Sequence, residues 1–286
     1  GLAGYFFDGT GMDYENDPDH ATHVAALYEM YDGKRYYEHG VGTRTDEELG
    51  NMSGRGARER LDDMFKAFEA AYANGDTDID IFGFSRGAAM AREFTNMIAE
   101  KYPDAEIRYL GLFDTVAQIG LPDAINNNPG IRLDIPSNVG FVSHAVAMNE
   151  HRNLFPLTSV VSGEYGGYEM RFPRGRIAPN DYSPSDYRAL SGPGYWEQPF
   201  SGVHSDVGGG YVDGGNRSAL WWTYNLAKSK GVPLDHGKLD SKQMNFFMKQ
   251  KTHDSRDRAH ASTSWADVFT QWRDTRVIYN GNLSNN

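Results

Sequence analysis

Ser85 stands in Gly83-Phe84-Ser85-Arg86-Gly87, preceded by Ile79-Asp80-Ile81-Phe82 and followed by Ala88-Ala89-Met90-Ala91. A serine hydroxyl is a poor nucleophile in water. It becomes a useful one when a strained strand-to-helix turn projects Oγ toward a base and toward donors that stabilise an oxyanion. Gly83 and Gly87, two residues either side of Ser85, suit such a nucleophile elbow, because the backbone there passes so close to its neighbours that a Cβ would clash. The chemistry this predicts is acyl transfer: attack of Ser85 on a carbonyl carbon.

An activated serine needs a histidine in hydrogen-bond reach and a carboxylate that fixes the histidine tautomer. In folds built on this elbow the chain order is Ser, then Asp or Glu, then His. That order rejects His20, His23 and His39 and leaves His144, His151, His204, His236, His253 and His260. Two assignments survive. The favoured one takes Asp206 as the acid, at the end of the second strand after the elbow, and His253, in Thr252-His253-Asp254-Ser255, as the base on a late loop. The other takes Asp114, ending the strand beside the nucleophile strand, with His204. If His204 and Asp206 lie on an extended strand they face the same side, and both line the site. Asp114 has an alternative reading as a brace at the sheet edge through Thr115, and His204 one as a supporting donor. His144 and His151 fall in a stretch, 142–152, read as a helix with a solvated or packing role.

One oxyanion donor is the backbone N–H after the nucleophile, that of Arg86. The other is expected from Gly9 and Thr10, in the loop after the first strand, with Asp8 holding that loop in shape. The acidic run Asp13-Tyr14-Glu15-Asn16-Asp17-Pro18-Asp19 invites a calcium reading, but Pro18 replaces the glycine of an EF-hand loop and the closing Glu is missing. No metal or cofactor is expected.

These residues need a sheet to carry them. Leu2–Phe7, Tyr36–His39, Ile79–Phe84 and the near-continuous apolar run Ile107–Phe113 read as strands, the last a buried parallel one. Leu61, Met64, Phe65, Phe68 and Tyr72 mark an amphipathic helix that ends near Asn74-Gly75. The stretch His204–Tyr211 reads as a strand leading into a loop. Ala219–Ser229 and Gln243–Lys251 read as helices, and Arg276–Tyr279 as a closing edge strand. Proline, glycine, asparagine and aromatic residues replace clean periodicity at about 120–138 and 162–195, which are expected to be cap-like insertions over the active site. The expectation is a single α/β-hydrolase domain over 1–286, with a mostly parallel central sheet and helices on both faces.

Composition narrows the partners. With 286 residues, 39% of them hydrophobic, the chain buries a full core, and its formal charge of -11 disfavours nucleic acid and simple attraction to anionic lipid. Cysteine is absent, which removes disulfides and thiol chemistry. No apolar run reaches the roughly 18 residues of a bilayer span, and no basic-then-apolar leader opens the chain. The first strand begins almost at residue 1, so trimming from a longer protein is expected.

Phe7-Asp8-Gly9-Thr10-Gly11, Gly83–Ala88, Leu112-Phe113-Asp114-Thr115-Val116, His144–Arg152 and Gly202-Val203-His204-Ser205-Asp206-Val207-Gly208-Gly209-Gly210-Tyr211 together resemble the catalytic domain of the first subgroup of type VI lipase effectors and the broader hydrolase family around it. The resemblance implies a bacterial phospholipase A-like serine esterase, and with no basic-then-apolar opening it is expected to be made in the cytoplasm without a signal peptide. Such an enzyme is injected by the type VI apparatus into a competitor's periplasm and restrained at home by an immunity protein. It also implies a Ser-Asp-His triad, carried over to Ser85, Asp206 and His253. The chain is expected to end near the hydrolase core, without the large membrane-anchoring modules many such effectors carry, which argues against attack on a bilayer and leaves peripheral membrane contact, a plain esterase or a separately delivered domain open. Two other functions compete: a soluble small-acyl esterase or deacetylase, and a catalytically silent binding module that uses Tyr165, Tyr168, Tyr182, Tyr187, Tyr195 and Trp196 for recognition.

Overall fold

The described residues form ten strands: β1 (Leu2–Phe7), β2 (Lys34–Glu38), β3 (Asp78–Phe84), β4 (Ile107–Phe113), β5 (Val142–Ala147), β6 (Leu157–Thr158), β7 (Asn180–Tyr182), β8 (Leu190–Gly192), β9 (Tyr195–Phe200) and β10 (Arg276–Tyr279). They come from a computed structural model that describes residues 1–9, 17–39, 55–117, 130–152, 155–162, 180–254 and 275–284. Seven of them make the central sheet, in the order β2-β1-β3-β4-β5-β9-β8, parallel except for β8. The other three make a small second sheet, β6-β10-β7. The helices are α1 (His23–Met30), α2 (Arg55–Ala73), α3 (Arg86–Lys101), α4 (His204–Val207), α5 (Arg217–Ser229) and α6 (Ser241–Phe246).

Alternation along each buried strand sends side chains to two cores. Tyr5, Phe7, Ile79, Ile81, Leu110 and Leu112 pack against α2 and α3 through Leu61, Phe68, Phe94 and Ile98. On the other face, Phe6, Phe82, Phe84, Tyr109 and Phe113 pack against α1 and α5 through Val24, Leu27, Leu220 and Tyr224. Phe6, Phe82 and Tyr109 run ring to ring across β1, β3 and β4, with centroids 5.3 and 5.7 Å apart. Each such buried ring contributes on the order of 2 kcal/mol by burial. The sheet that holds the elbow is therefore covered on both faces.

The strand order reverses between β2 and β3 about β1, which places a crevice outside the carboxyl ends of β1 and β3. Both the Asp8-Gly9 loop and Ser85 open there. Arg92 of α3, fully buried, fastens the second sheet by donating to the carbonyls of Thr158 and Ser159, 2.8 Å each.

Several sequence expectations are corrected. The stretch expected as a helix from 142 to 152 is β5 followed by a turn, because all six residues of β5 are buried between β4 and β9 and a strand covered on both sides shows no alternation. His204–Val207, expected as a strand, is a short helix, started by Asp206 accepting from Val203 N at 2.9 Å. Asp206 therefore does not end a strand. The closing strand β10 is not at an edge but in the middle of the second sheet. The helix expected over 243–251 is confined to Ser241–Phe246. Much of both expected insertions lies outside the described residues, with Tyr165, Tyr168 and most of the acidic run 13–19. Among the described residues no helix is long and apolar enough to cross a membrane.

Candidate active site

The elbow is built from backbone strain. Ser85, between β3 and α3, has φ 63 and ψ -125, a left-handed conformation that costs a non-glycine residue on the order of 1–3 kcal/mol. The surroundings hold it: Ser85 N donates to Phe113 O at 3.0 Å, and Ser85 O accepts from Ala88 N at 3.0 Å as α3 begins. The flanking glycines are needed for approach. A Cβ on Gly83 would lie 2.7 Å from Ala88 Cα, and one on Gly87 would lie 2.2 Å from Asp8 O.

His204 Nε2 lies 2.7 Å from Ser85 Oγ, and His204 Nδ1 lies 2.5 Å from Asp114 Oδ2. Because an ionised carboxylate only accepts, Nδ1 carries the proton and donates to Asp114, leaving Nε2 to accept from the Ser85 hydroxyl. The imidazole is held between the Phe84 and Phe155 rings, at centroid distances of 4.7 and 5.1 Å. Its backbone N donates to Glu150 Oε1 at 3.3 Å.

Asp114 is wholly buried and has φ 44. Its Oδ1 accepts from Ala147 N at 2.9 Å and from Arg276 Nη1 at 2.8 Å, while Oδ2 accepts from Arg276 Nη2 at 2.7 Å. Burial alone would push this carboxyl up. The Arg276 charge and hydrogen bonds, with those of His204, overturn that effect and hold it well below the usual carboxylate range. Glu150 behaves alike: burial raises it, but Arg152, and more weakly Arg276 and His204, lower it to about 2.

The structure does not bring Asp206 and His253 to Ser85; they pair with one another. His253 Nδ1 lies 2.6 Å from Asp206 Oδ1, and His253 N donates to Asp206 Oδ2 at 2.6 Å. Nε2 faces Asp213 at 3.4 Å, and Tyr211 packs on the ring at 4.3 Å. The geometry follows from the helix: two positions apart on a strand share a face, whereas on α4 they point about 200° apart. Asp206 ties the 249–254 segment to the helix that carries His204. His144, on β5, is also engaged elsewhere: Nε2 accepts from Thr115 N at 3.0 Å, so Nδ1 donates to the buried Glu197 at 2.6 Å.

The N–H of Arg86 is the first of α3, where backbone donors have no partner within the helix. Gly9 lies against the nucleophile, since a Cβ on it would be 3.4 Å from Ser85 Cβ. Its N–H, however, donates to Asp8 Oδ1 at 2.8 Å. Asp8 also accepts from Thr22 Oγ1 at 2.7 Å and from the Tyr37 hydroxyl, so it braces the loop. Thr10 lies outside the described residues.

Glu150, Phe155 and above all Arg276 are residues that sequence reasoning missed. A signal for Arg276 existed. An arginine opening Arg276-Val277-Ile278-Tyr279 enters a buried strand only if a carboxylate meets it. Among the described residues, no cluster of three or more His, Asp or Glu side chains is placed to hold a metal ion.

With a serine, a histidine and a carboxylate in line at an elbow, the comparison with known families becomes specific. The model of the type VI secretion phospholipase effector Tle1-like catalytic domain matches residues 5–102 and 99–229. The chain belongs to this family. The matched span contains Ser85, Asp114 and His204 and ends before His253 and Arg276. Among solved structures, an uncharacterized protein from Pseudomonas aeruginosa is similar over 94% of this chain and 52% of its own, with TM-score 0.56 and 20% identity. The Tle1 effector bound to the VgrG spike of the type VI secretion system is 24% identical over 73% of this chain and 51% of its own, with TM-score 0.48. The chain thus spans about half the length of each. No curated protein matches the sequence. Membership of the Tle1-like family and the mostly parallel seven-stranded sheet agree on an α/β hydrolase architecture.

Proposed function

We propose that the chain is a serine esterase that removes an acyl chain from phospholipid, with Ser85 as nucleophile, His204 as base and Asp114 as the carboxylate behind it. The observation that carries this reading is the pair of contacts from one imidazole, 2.7 Å to Ser85 Oγ and 2.5 Å to Asp114 Oδ2. In the first step Ser85 Oγ attacks the ester carbonyl while its proton passes to His204 Nε2, and Asp114 stabilises the imidazolium formed. The oxyanion meets Arg86 N–H at the positive end of α3, a second donor coming from the loop after β1. Collapse expels the lysophospholipid alkoxide, which takes the proton from His204. Water, activated by the same nitrogen, then releases the fatty acid and restores Ser85.

The phospholipid substrate is supported by the family, whose description names a phospholipase effector. The same membership supports delivery by the type VI apparatus. To this we add a target cell's periplasm as the destination and an immunity protein at home. A silent binding module is the weaker reading, since it has no use for an imidazole held between a strained serine and an ionised aspartate.

The test is to incubate wild type and Ser85→Ala with detergent-dispersed phospholipid and analyse the lipids by mass spectrometry. Free fatty acid and lysophospholipid from wild type alone are expected. Headgroup release without fatty acid would mean a different bond is cut, and cleavage of only acetyl or butyryl esters would replace the phospholipase reading with that of a small-ester esterase.

A further inference from the structure

We propose that Arg276, delivered by the second sheet, is a positioning residue for the triad: its guanidinium fork fixes the plane of the Asp114 carboxylate, so that Oδ2 faces His204 Nδ1. This inference rests on the serine esterase reading of the same site and goes beyond it by giving the second sheet a part in catalysis.

Asp114 and Arg276 are 162 residues apart in sequence and meet through two parallel hydrogen bonds, Nη1 to Oδ1 at 2.8 Å and Nη2 to Oδ2 at 2.7 Å. A two-point fork sets the orientation of a carboxylate as well as its charge, which the single ammonium of a lysine does not. Here the orientation matters, because Oδ2 is the atom that receives His204 Nδ1. Arg276 is itself 3% exposed and fixed on its remaining sides. Its Nε donates to Phe155 O at 3.0 Å, and its Nη1 also donates to Ala147 O at 3.0 Å. Ala147 therefore binds both partners, since its N–H donates to Asp114 Oδ1. Phe155 likewise touches both Arg276 and the His204 ring. The second sheet is anchored next to the acid: Thr158 N of β6 donates to Thr115 O at 3.0 Å, and β6 pairs with β10.

The charged and titratable groups around Asp114 are His204 on α4, Arg276 on β10, Glu150 and Arg152 after β5, and Tyr187 before β8. Removing Arg276 leaves Asp114 buried with one cation fewer. Protonation of the carboxylate becomes easier, which moves the loss of activity on the acid side to higher pH.

The experiment compares wild type, Arg276→Met, Arg276→Lys, Asp114→Asn and the Asp114→Asn/Arg276→Met pair on a soluble p-nitrophenyl ester across about pH 5 to 9, with circular dichroism to follow folding. Arg276→Met is expected to lower kcat about 100-fold or more with KM within about three-fold, and to move the acid limb up by about one pH unit. In the Asp114→Asn background the same change is expected to cost less than about three-fold, because the residue it acts through is already disabled. A full loss persisting in that background, an unmoved acid limb, or a loss carried by KM would overturn the proposal. If Arg276→Met does not fold, Arg276→Lys decides: a kcat loss of about ten-fold with the acid limb near wild type supports a role for the fork, and wild-type kcat overturns it. Ser85→Ala separates the two levels. Should it stay active, the serine esterase reading itself fails; should it be inactive while Arg276→Met matches wild type, only the role of Arg276 fails.

Discussion

His204 and Asp206 stand two positions apart on one short helix and turn to different partners, His204 Nε2 to Ser85 Oγ at 2.7 Å and Asp206 Oδ1 to His253 Nδ1 at 2.6 Å. In the proposed mechanism, catalysis falls to the pair His204–Asp114 and local architecture to the pair His253–Asp206. His204→Ala is expected to lower turnover of a p-nitrophenyl ester by about 10³-fold or more, the scale typical of triad members. His253→Ala, which only unties the 249–254 segment from α4, is expected to stay within about ten-fold and to act on thermal stability instead. Steady-state kinetics and a melting curve on both variants check this.

The pH profile should show a single ionisation on its acid side. Only neutral imidazole accepts the serine proton, so log kcat/KM rises with pH at unit slope and then levels. Asp114 adds no second step, because Arg276 and His204 hold its carboxyl well below the usual range despite its burial. A slope of two between about pH 4 and 6, where ordinary carboxylates finish titrating, would contradict that assignment.

Acid stability should track Glu150. Burial would raise this carboxyl, but Arg152 outweighs it, so the group falls from its ordinary 4.5 to about 2 in the fold. A lowered acid contributes stability that is present above about pH 4.5 and is lost as pH falls toward 2, here on the order of 3 kcal/mol. Glu150→Gln is expected to be less stable than wild type at neutral pH by a few kcal/mol, with a flatter decline below about pH 4.5, as read from urea midpoints. Asp8 works with the opposite sign, since burial raises it.

Strain at the nucleophile should be measurable as stability. Ser85 has φ 63, which a glycine adopts without cost, so Ser85→Gly is expected to melt a few degrees above Ser85→Ala while both are inactive. Equal melting temperatures would mean that the turn is unstrained. Gly87→Ala, whose Cβ would come 2.2 Å from Asp8 O, should not produce folded enzyme.

Local signals carried the elbow and the main sheet into view: Ile79 and Ile81 alternate into one core, and Gly83 and Gly87 stand where a Cβ has no room. The histidine beside Ser85 was harder to read. His204-Ser205-Asp206 looks like a strand by its apolar flank, whereas the cap from Val203 N to Asp206 and the backbone bonds of the turn make it a helix that separates the two side chains. Asp114 was legible as the end of a strand beside Ser85, but which buried cation it meets was not, since its contact with Arg276 spans 162 residues. His144 reads from the sequence as a solvated or packing residue, and it is buried and bonded away from Ser85, but on a strand rather than a helix. A strand covered on both faces carries polar residues only where a buried partner such as Glu197 awaits them.

In the proposed mechanism Ser85 is made nucleophilic by His204 and not by His253. Peptide mass spectrometry after brief exposure to a fluorophosphonate tests it most directly, in wild type, His204→Ala and His253→Ala. A single adduct on Ser85 is expected in wild type and in His253→Ala, with labelling of His204→Ala reduced at least about 100-fold in rate. Labelling of Ser85 that survives in His204→Ala and disappears in His253→Ala would contradict the account.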